Sequence, residues 1–306
     1  MLRVRQLFDA ESSTYTYLLC DTGSGAAALV DPVFEQFTRD DALVRELGVD
    51  LRFVLDTHVH ADHVTAAWLF REARGARIVS SARARAEGVD LPVDDGSRLE
   101  LGATTLEVRA TPGHTDGCLT LVAEGALVAF TGDALLIRGA GRTDFQQGSA
   151  AQLFRSIRER IFSLDDDTTL YPAHDYAGRT STTVAEERAH NPRVGGAANE
   201  RDFVGYMQNL HLPHPKKIDE AVPANLRSGR PLEPPTGAPS WGPVVRTYAG
   251  FPRSRPLGSR RTAATCWCST CATPTSSRAT GASRARCTFR SPSCGRGWAR
   301  CRATAR

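Results

Sequence analysis

Two β-sheets packed face to face, with helices on their outer surfaces, form the fold class that this sequence predicts, an α+β arrangement. Three observations predict it. Strand-like apolar runs come in two series, each followed by amphipathic helical stretches, which is the pattern of a layered domain. The 306-residue chain is 41% hydrophobic, enough to fill the space between layers. No internal repeat or low-complexity segment interrupts the chain before residue 250.

The elements follow in order. Tyr15–Cys20 and Ala26–Asp31 read as a hairpin turning through Asp21-Thr-Gly-Ser-Gly25, with Asp31-Pro32 closing the second strand. Asp41–Leu47 is amphipathic and helical, and Arg52–Leu55 returns as a buried strand, so the opening is β-β-α-β. Val64–Arg74 forms a helix ended by Gly75 and followed by the strand Arg77–Ser80. Short strands come next at Arg98–Leu101, Thr105–Ala110, Leu119–Ala123 and Leu127–Thr131, separated by Gly and acidic turns. The second half is more helical: Ala150–Phe162, a strand at Thr169–Tyr171, then Thr182–His190 and Glu200–Leu210. Gly229–Pro243, rich in Pro and Gly, reads as a linker, which divides the chain into a domain at 1–235, a linker at 236–251 and a tail at 252–306.

Charge and cysteine content divide at the same place. The formal +4 conceals a tail with twelve of the chain's 38 basic residues and no Asp or Glu, which leaves the body with 26 basic against 34 acidic residues. A mildly acidic body with a basic appendix gives no reason to expect a nucleic-acid partner. Cys20 and Cys118 alone lie in the body, as in proteins of a reducing cytoplasm. The amino terminus has no apolar h-region or small-residue cleavage site, and no run approaches the ~20 apolar residues of a membrane span. A cytoplasmic protein without membrane partners is expected.

The tail itself lacks apolar periodicity and reads as a low-order, disordered Arg-rich segment. Cys266-x-Cys268-x-x-Cys271 imitates a metal motif there, in surroundings that cannot bury a core. Back-translation supplies a better account. Reading Cys266–Ser277 from the third base of each codon permits LVLDVRDPDEF, and the same shift over Gly281–Pro292 permits IPGALHIPL. Those strings resemble the opening of a rhodanese domain, so a reading-frame shift near Phe251 is expected to have replaced a fused rhodanese. Resequencing across codons 245–260 tests this, and an intact frame with no coherent alternative ends it.

Chemistry concentrates at the predicted strand ends. Thr57-His58-Val59-His60-Ala61-Asp62-His63 follows the apolar run Arg52–Asp56 and places four metal-competent side chains within six residues. Imidazole and carboxylate suit Zn and Fe(II), and such a run leaving a strand can aim several donors at one point. Thr111-Pro-Gly-His114-Thr115, Thr131-Gly-Asp133 and Tyr171-Pro-Ala-His174-Asp175-Tyr176 each add one His or Asp just past an apolar run. Five of the eight histidines lie in these segments.

In this order the motifs resemble the metallo-β-lactamase superfamily, whose fold is an αββα sandwich. In its glyoxalase II-type hydrolases seven ligands hold two metals, and all seven positions are filled here: His58, His60 and His114 for one, Asp62, His63 and His174 for the other, Asp133 between. A dinuclear zinc thioester hydrolase is therefore one implied function. A different segment points elsewhere. Gly132-Asp133-Ala-Leu-Leu-Ile-Arg-Gly-Ala-Gly-Arg142-Thr-Asp144-Phe-Gln-Gln-Gly148, with Tyr171–Tyr176 and Ile218–Asn225, is similar to persulfide dioxygenases, which act on glutathione persulfide and O₂ to give sulfite and glutathione.

That resemblance implies a single Fe(II) per chain on His58, His114 and Asp133, with His60, Asp62, His63 and His174 orienting ligands and water. Two His and one carboxylate leave open positions for a persulfide sulfur and O₂ together. It also places Arg142 and Tyr176 beside the substrate, with Asp144 orienting Arg142, and leaves room for a homodimer and a functional link to a rhodanese. A non-catalytic persulfide-binding protein would bind metal without turnover. His190, His211 and His214 are expected on the surface or in the core, Lys216-Lys217 in solvent or against a glutathione carboxylate, and Cys118 buried and inert.

Overall fold

The structure, a computed structural model, describes residues 1–232, 244–250 and 252–254. Strands β1 (Leu2–Asp9), β2 (Thr14–Asp21) and β3 (Ala26–Val30) lead into helix α1 (Phe37–Leu47), followed by β4 (Asp50–Leu55), α2 (Ala67–Arg74), β5 (Arg77–Ser81) and β6 (Leu91–Val93). These six strands form one sheet in sequential order. The second series is β7 (Arg98–Leu101), β8 (Thr104–Ala110), β9 (Leu119–Ala123) and β10 (Val128–Gly132), then the small hairpin of β11 (Leu135–Leu136) and β12 (Gly139–Ala140). Helix α3 (Ala150–Arg155) continues as a π-helical turn over Ser156–Ile161, before β13 (Thr169–Pro172), β14 (Thr182–Thr183), α4 (Val184–His190), α5 (Glu200–Gln208) and α6 (Ile218–Asn225). The second sheet runs β14-β13-β10-β9-β8-β7.

The period of two along each strand builds the layers. In β2, Tyr17 and Leu19 face inward and meet Leu106, Leu121 and Phe130 of the opposite sheet, with Val30, Phe53, Leu55, Leu101 and Val108 around them. Leu18, between them in sequence, faces outward and packs with Leu29, Val54 and Ile78 under Val44 and Phe70 of α1 and α2. On the far side, Val122, Ala129 and Leu170 are covered by Leu153, Ile157 and Phe203. Each large apolar side chain so buried contributes about 1.5–3 kcal/mol. The result is the expected αββα sandwich. Tyr17 closes the interlayer core, its ring 5.1 Å from that of Phe130 and its hydroxyl donating to Pro172 O at 2.6 Å.

Several elements differ from the sequence reading. Leu2–Asp9 is a strand that pairs antiparallel with β2, making the opening β-β-β-α-β. Its alternation of Leu2 and Val4 with Arg3 and Arg5 is that of an edge strand, where one face stays wet. Helix α2 starts at Ala67 rather than Val64, because Thr65 turns its hydroxyl to Asp56 Oδ1 and accepts from Ala67 N, ending the loop there. Thr182-Thr183 pairs with β13, and the Thr183 hydroxyl accepts from Glu186 N, so α4 begins at Val184, two residues later than Thr182. β15 (Val244–Arg246) and β16 (Pro252–Ser254) pair as a hairpin, so regular structure crosses the boundary drawn between linker and tail. The cysteine-rich segment and the expected frameshifted rhodanese lie outside the described residues. Among the described residues no helix is long and apolar enough to cross a membrane.

Strand direction gathers the motifs. β10 and β13 are parallel, and β8 runs the same way because β9 is antiparallel to both β8 and β10. The segments that follow β8, β10 and β13 therefore leave the same edge of the second sheet. The turn after β4 meets them there, since Leu119 N donates to Thr57 O across the two sheets.

Candidate active site

A buried carboxylate organises the 57–63 turn. Asp31, 1% exposed at the end of β3, accepts from Thr57 N at 2.7 Å and from the Thr57 hydroxyl at 2.9 Å. With its proton committed to Asp31, the Thr57 oxygen accepts from His58 Nδ1 at 3.0 Å, which fixes that tautomer and leaves Nε2 bare. Asp31 also meets His60 Nε2 at 3.1 Å. Gly132 makes room for this arrangement: its φ is +54°, and a Cβ there would lie 2.8 Å from Thr57 Oγ1. Burial, reinforced by the neighbouring histidines, holds His58 and His60 well below the ordinary imidazole pKa, so both are neutral and able to ligate a metal.

His114 is fixed in the same way, its Nδ1 donating to Arg142 O at 2.6 Å and leaving Nε2 free, 3.8 Å from Asp133 Oδ2. His58, His114 and Asp133 then form a buried group whose ligand atoms all lie within 4.8 Å of one another. Two bare imidazole nitrogens and one carboxylate, each held by a partner on its far side, fit a divalent metal ion. Asp133 is ionised. Burial opposes this, but His174 beside it outweighs the burial and keeps the carboxyl well below the usual carboxylate range.

His60, Asp62, His63 and His174 make a second group of the same kind. Here the side chains mostly bind one another. His174 lies between two carboxylates, with Nδ1 2.7 Å from Asp133 Oδ1 and Nε2 3.0 Å from Asp62 Oδ2. Burial works against protonating it, yet the two carboxylates prevail and its pKa lies well above the ordinary value. Thr14 adds contacts to Asp62, His63 and His174. His60 Nδ1 and His63 Nε2 are buried without a hydrogen-bond partner.

Comparison with known proteins identifies the fold and the branch. The metallo-beta-lactamase superfamily matches residues 10–174. The persulfide dioxygenase ETHE1, mitochondrial, of Homo sapiens is 51% identical over 227 residues, covering 74% of this chain and 88% of the human protein. The crystal structure of ETHE1 from Myxococcus xanthus superposes with a TM-score of 0.72 at 50% identity, covering 74% of this chain and all of that one. The chain belongs to the persulfide dioxygenase family. A hydroxyacylglutathione hydrolase of Methylococcus capsulatus is more distant, 36% identical over 254 residues, covering 82% of this chain and 92% of the hydrolase.

In this persulfide dioxygenase relative the two groups open into a cleft of about 740 Å³. Tyr176 stands at its mouth, 74% exposed, its ring parallel to His174 at 6.2 Å. Arg142 lines the cleft, but its guanidinium is already engaged: Nε and Nη2 donate to the two oxygens of Asp144, while Nη1 and Nη2 reach Pro213 O and Leu212 O. Asp144 thus braces Arg142, which ties the 212–213 backbone to the cleft wall. The other end of the 210–217 segment is fixed by Lys217, which pairs with Glu11 and Glu35 rather than pointing into solvent.

Other residues were missed. His214 lines the cleft and stacks on Phe145, which itself lies under Arg142 and beside His114. Arg138, Arg179 and Arg193 line the cleft too, and nothing local in the sequence marks them. Arg138 is held in place by Glu186 and by the fully buried Glu187, which fixes the β11-β12 hairpin next to Asp133. Cys118 is 3% exposed with its thiol pushed up to about 12 by burial, as its inert reading required. His190 and His211 stay outside the metal-competent groups found among the described residues.

Proposed function

We propose that this protein oxidises the terminal sulfur of glutathione persulfide at one ferrous ion held by His58, His114 and Asp133. One persulfide, one O₂ and one water give glutathione, sulfite and two protons. The observation that carries this reading is the buried triad, with both imidazoles held with Nε2 bare, lining a cleft in a chain half identical to persulfide dioxygenases. A ferrous ion held by His58, His114 and Asp133 would supply the redox chemistry that joins persulfide sulfur to O₂.

The chain's own residues do the rest. Thr57 and the Arg142 carbonyl orient the two imidazoles. His174 keeps Asp133 ionised and turned toward the triad. Arg142, braced by Asp144, donates to the 212–213 carbonyls, which shapes the pocket wall, and Tyr176 offers its phenol at the mouth. Glutathione brings two carboxylates. Arg193 and Lys216 line the cleft with no carboxylate partner among the described residues, so they are the cations positioned to receive them.

Oxygen uptake by anaerobically iron-loaded protein on adding glutathione persulfide tests the reading. Stoichiometric sulfite is the expected product. No uptake with iron present in the sample would move the assignment to thioester hydrolysis. That second reading is favoured by a specific feature, the unpartnered His60 Nδ1 and His63 Nε2, which a second ion could use. Metal content per chain separates the two: one ion for the dioxygenase, two for the hydrolase.

A further inference from the structure

The metal-bearing turn is gripped from a part of the chain far outside the superfamily match. Asn225, the last residue of α6 and 6% exposed, donates through Nδ2 to His60 O at 2.9 Å and His63 O at 2.8 Å, and accepts from Thr65 N at 2.8 Å through Oδ1. Three backbone groups of one turn are thereby satisfied by one side chain, 165 residues away from His60. Its own position is firmly set. Ser228 donates to Glu87 O at 2.6 Å, Glu87 N donates to Leu226 O at 2.7 Å, and Trp68 N donates to Ser228 O at 3.1 Å. Gly229, at φ +70°, presses so closely on the turn that a Cβ there would lie 2.1 Å from Thr65 O.

We propose that Asn225 is a positioning residue for the metal centre, acting through the backbone of the 60–65 turn. The path is short and made of hydrogen bonds. The grip on His60 and His63 fixes Asp62 between them; Asp62 holds His174 at 3.0 Å; His174 holds the ligand Asp133 at 2.7 Å. Without the amide, two carbonyls and one N–H of a buried turn lose their partners, and the turn relaxes to find others. His58 leaves the same turn, so two of the three ligands feel the change.

The inference rests on the metal centre proposed above, and the test separates the two. Ferrous ion alone is titrated anaerobically into the full chain, with affinity read by chelator competition and ligand geometry by the electron paramagnetic resonance signal of the nitric oxide adduct. Asn225→Ala and Asn225→Asp, the latter keeping shape and one acceptor but losing both donors, are expected to weaken iron binding at least tenfold and to broaden the signal. Glu220→Ala, on the exposed face of the same helix and away from the turn, is expected to stay within twofold of the parent. Wild-type protein that binds no iron would refute the metal centre. Folded Asn225 variants that bind iron within twofold of wild type would refute this proposal alone. If the variants do not fold, hydrogen exchange on the wild type decides: iron is expected to slow exchange in 58–66 and in 221–229 together, and slowing confined to 58–66 would overturn the coupling.

Discussion

Replacing Thr57 with Val removes one oxygen while keeping the shape of the side chain, and that oxygen connects Asp31 to His58. Its hydroxyl donates to Asp31 Oδ2 at 2.9 Å and accepts from His58 Nδ1 at 3.0 Å. The variant strands a buried imidazole N–H and one carboxylate oxygen, and a buried group left unsatisfied costs about 1–3 kcal/mol. His58 can avoid that cost by rotating or by changing tautomer, and either move withdraws Nε2 from the triad. Partners that orient metal ligands in this way are worth about 10–100-fold in affinity, or about 1.4–2.8 kcal/mol at about 1.4 kcal/mol per tenfold, so two independent routes reach the same range. Ferrous affinity by chelator competition at constant pH is the assay, with Thr57→Ser as the rescue that restores the hydroxyl. A folded Thr57→Val protein that binds iron within threefold of wild type would show that Thr57 does not set the His58 tautomer.

Other expectations are simpler. Asp133→Ala is expected to abolish iron binding, whereas His63→Ala keeps one iron per chain and loses less turnover; elemental analysis after gel filtration reads both, and equal loss of metal would point to a shared two-ion site. Asp40 is 1% exposed, and burial raises its pKa from 3.8 to about 6 despite Arg39 beside it, so the folded state holds its proton longer than the unfolded state does. Stability is thus lost as pH rises from about 4 to about 6, by about 3 kcal/mol for a shift of about two pKa units. Asn at position 40 is expected to remove that loss, and urea midpoints at pH 4.5, 6 and 7.5 check it; a difference between variant and parent that is constant across this range would disprove the assignment. In native protein at pH 8, Cys118 is expected to resist iodoacetamide and to react only after unfolding, as read by peptide mass spectrometry.

Local signals carried the sandwich and the ligands. His58, His60, Asp62 and His63 sit in one short run, and His114, Asp133 and His174 each follow a strand whose apolar period is readable by itself. What stayed hidden depends on partners distant in sequence. Asp31 acts on Thr57 from 26 residues away, and Glu187 meets Arg138 across 49. A buried Glu on a short, mostly polar helix looks like any solvated residue until the hairpin it supports is in place. The edge strand β1 escaped because its Arg3 and Arg5 dilute the apolar pattern, and the 210–217 segment escaped because it has no period at all. Its part in the cleft comes from being held at both ends, by Arg142 and Lys217, and such anchoring is a tertiary property.

The ligand inventory shows most sharply why residue types alone do not define a metal site. Seven ligands suffice for two ions, and the second group is divided: His60 Nδ1 and His63 Nε2 are buried without partners, while the lone pairs of its other members are largely committed. His174 has hydrogen bonds at both ring nitrogens, Asp62 Oδ2 is shared among His63, His174 and Thr14, and Asp133 Oδ1 faces His174. An ion entering this group would have to break charge-assisted bonds in a buried site, each worth about 1.5–3 kcal/mol, before gaining any ligation. The triad asks for no such exchange, because His58 and His114 make their outward bonds through Nδ1 and keep Nε2 bare. A single ion held by only these three protein ligands would leave coordination positions for a persulfide sulfur and O₂ together, as a dioxygenase requires. The same histidines and carboxylates can therefore serve either chemistry, and the number of ions bound per chain tells which one they serve.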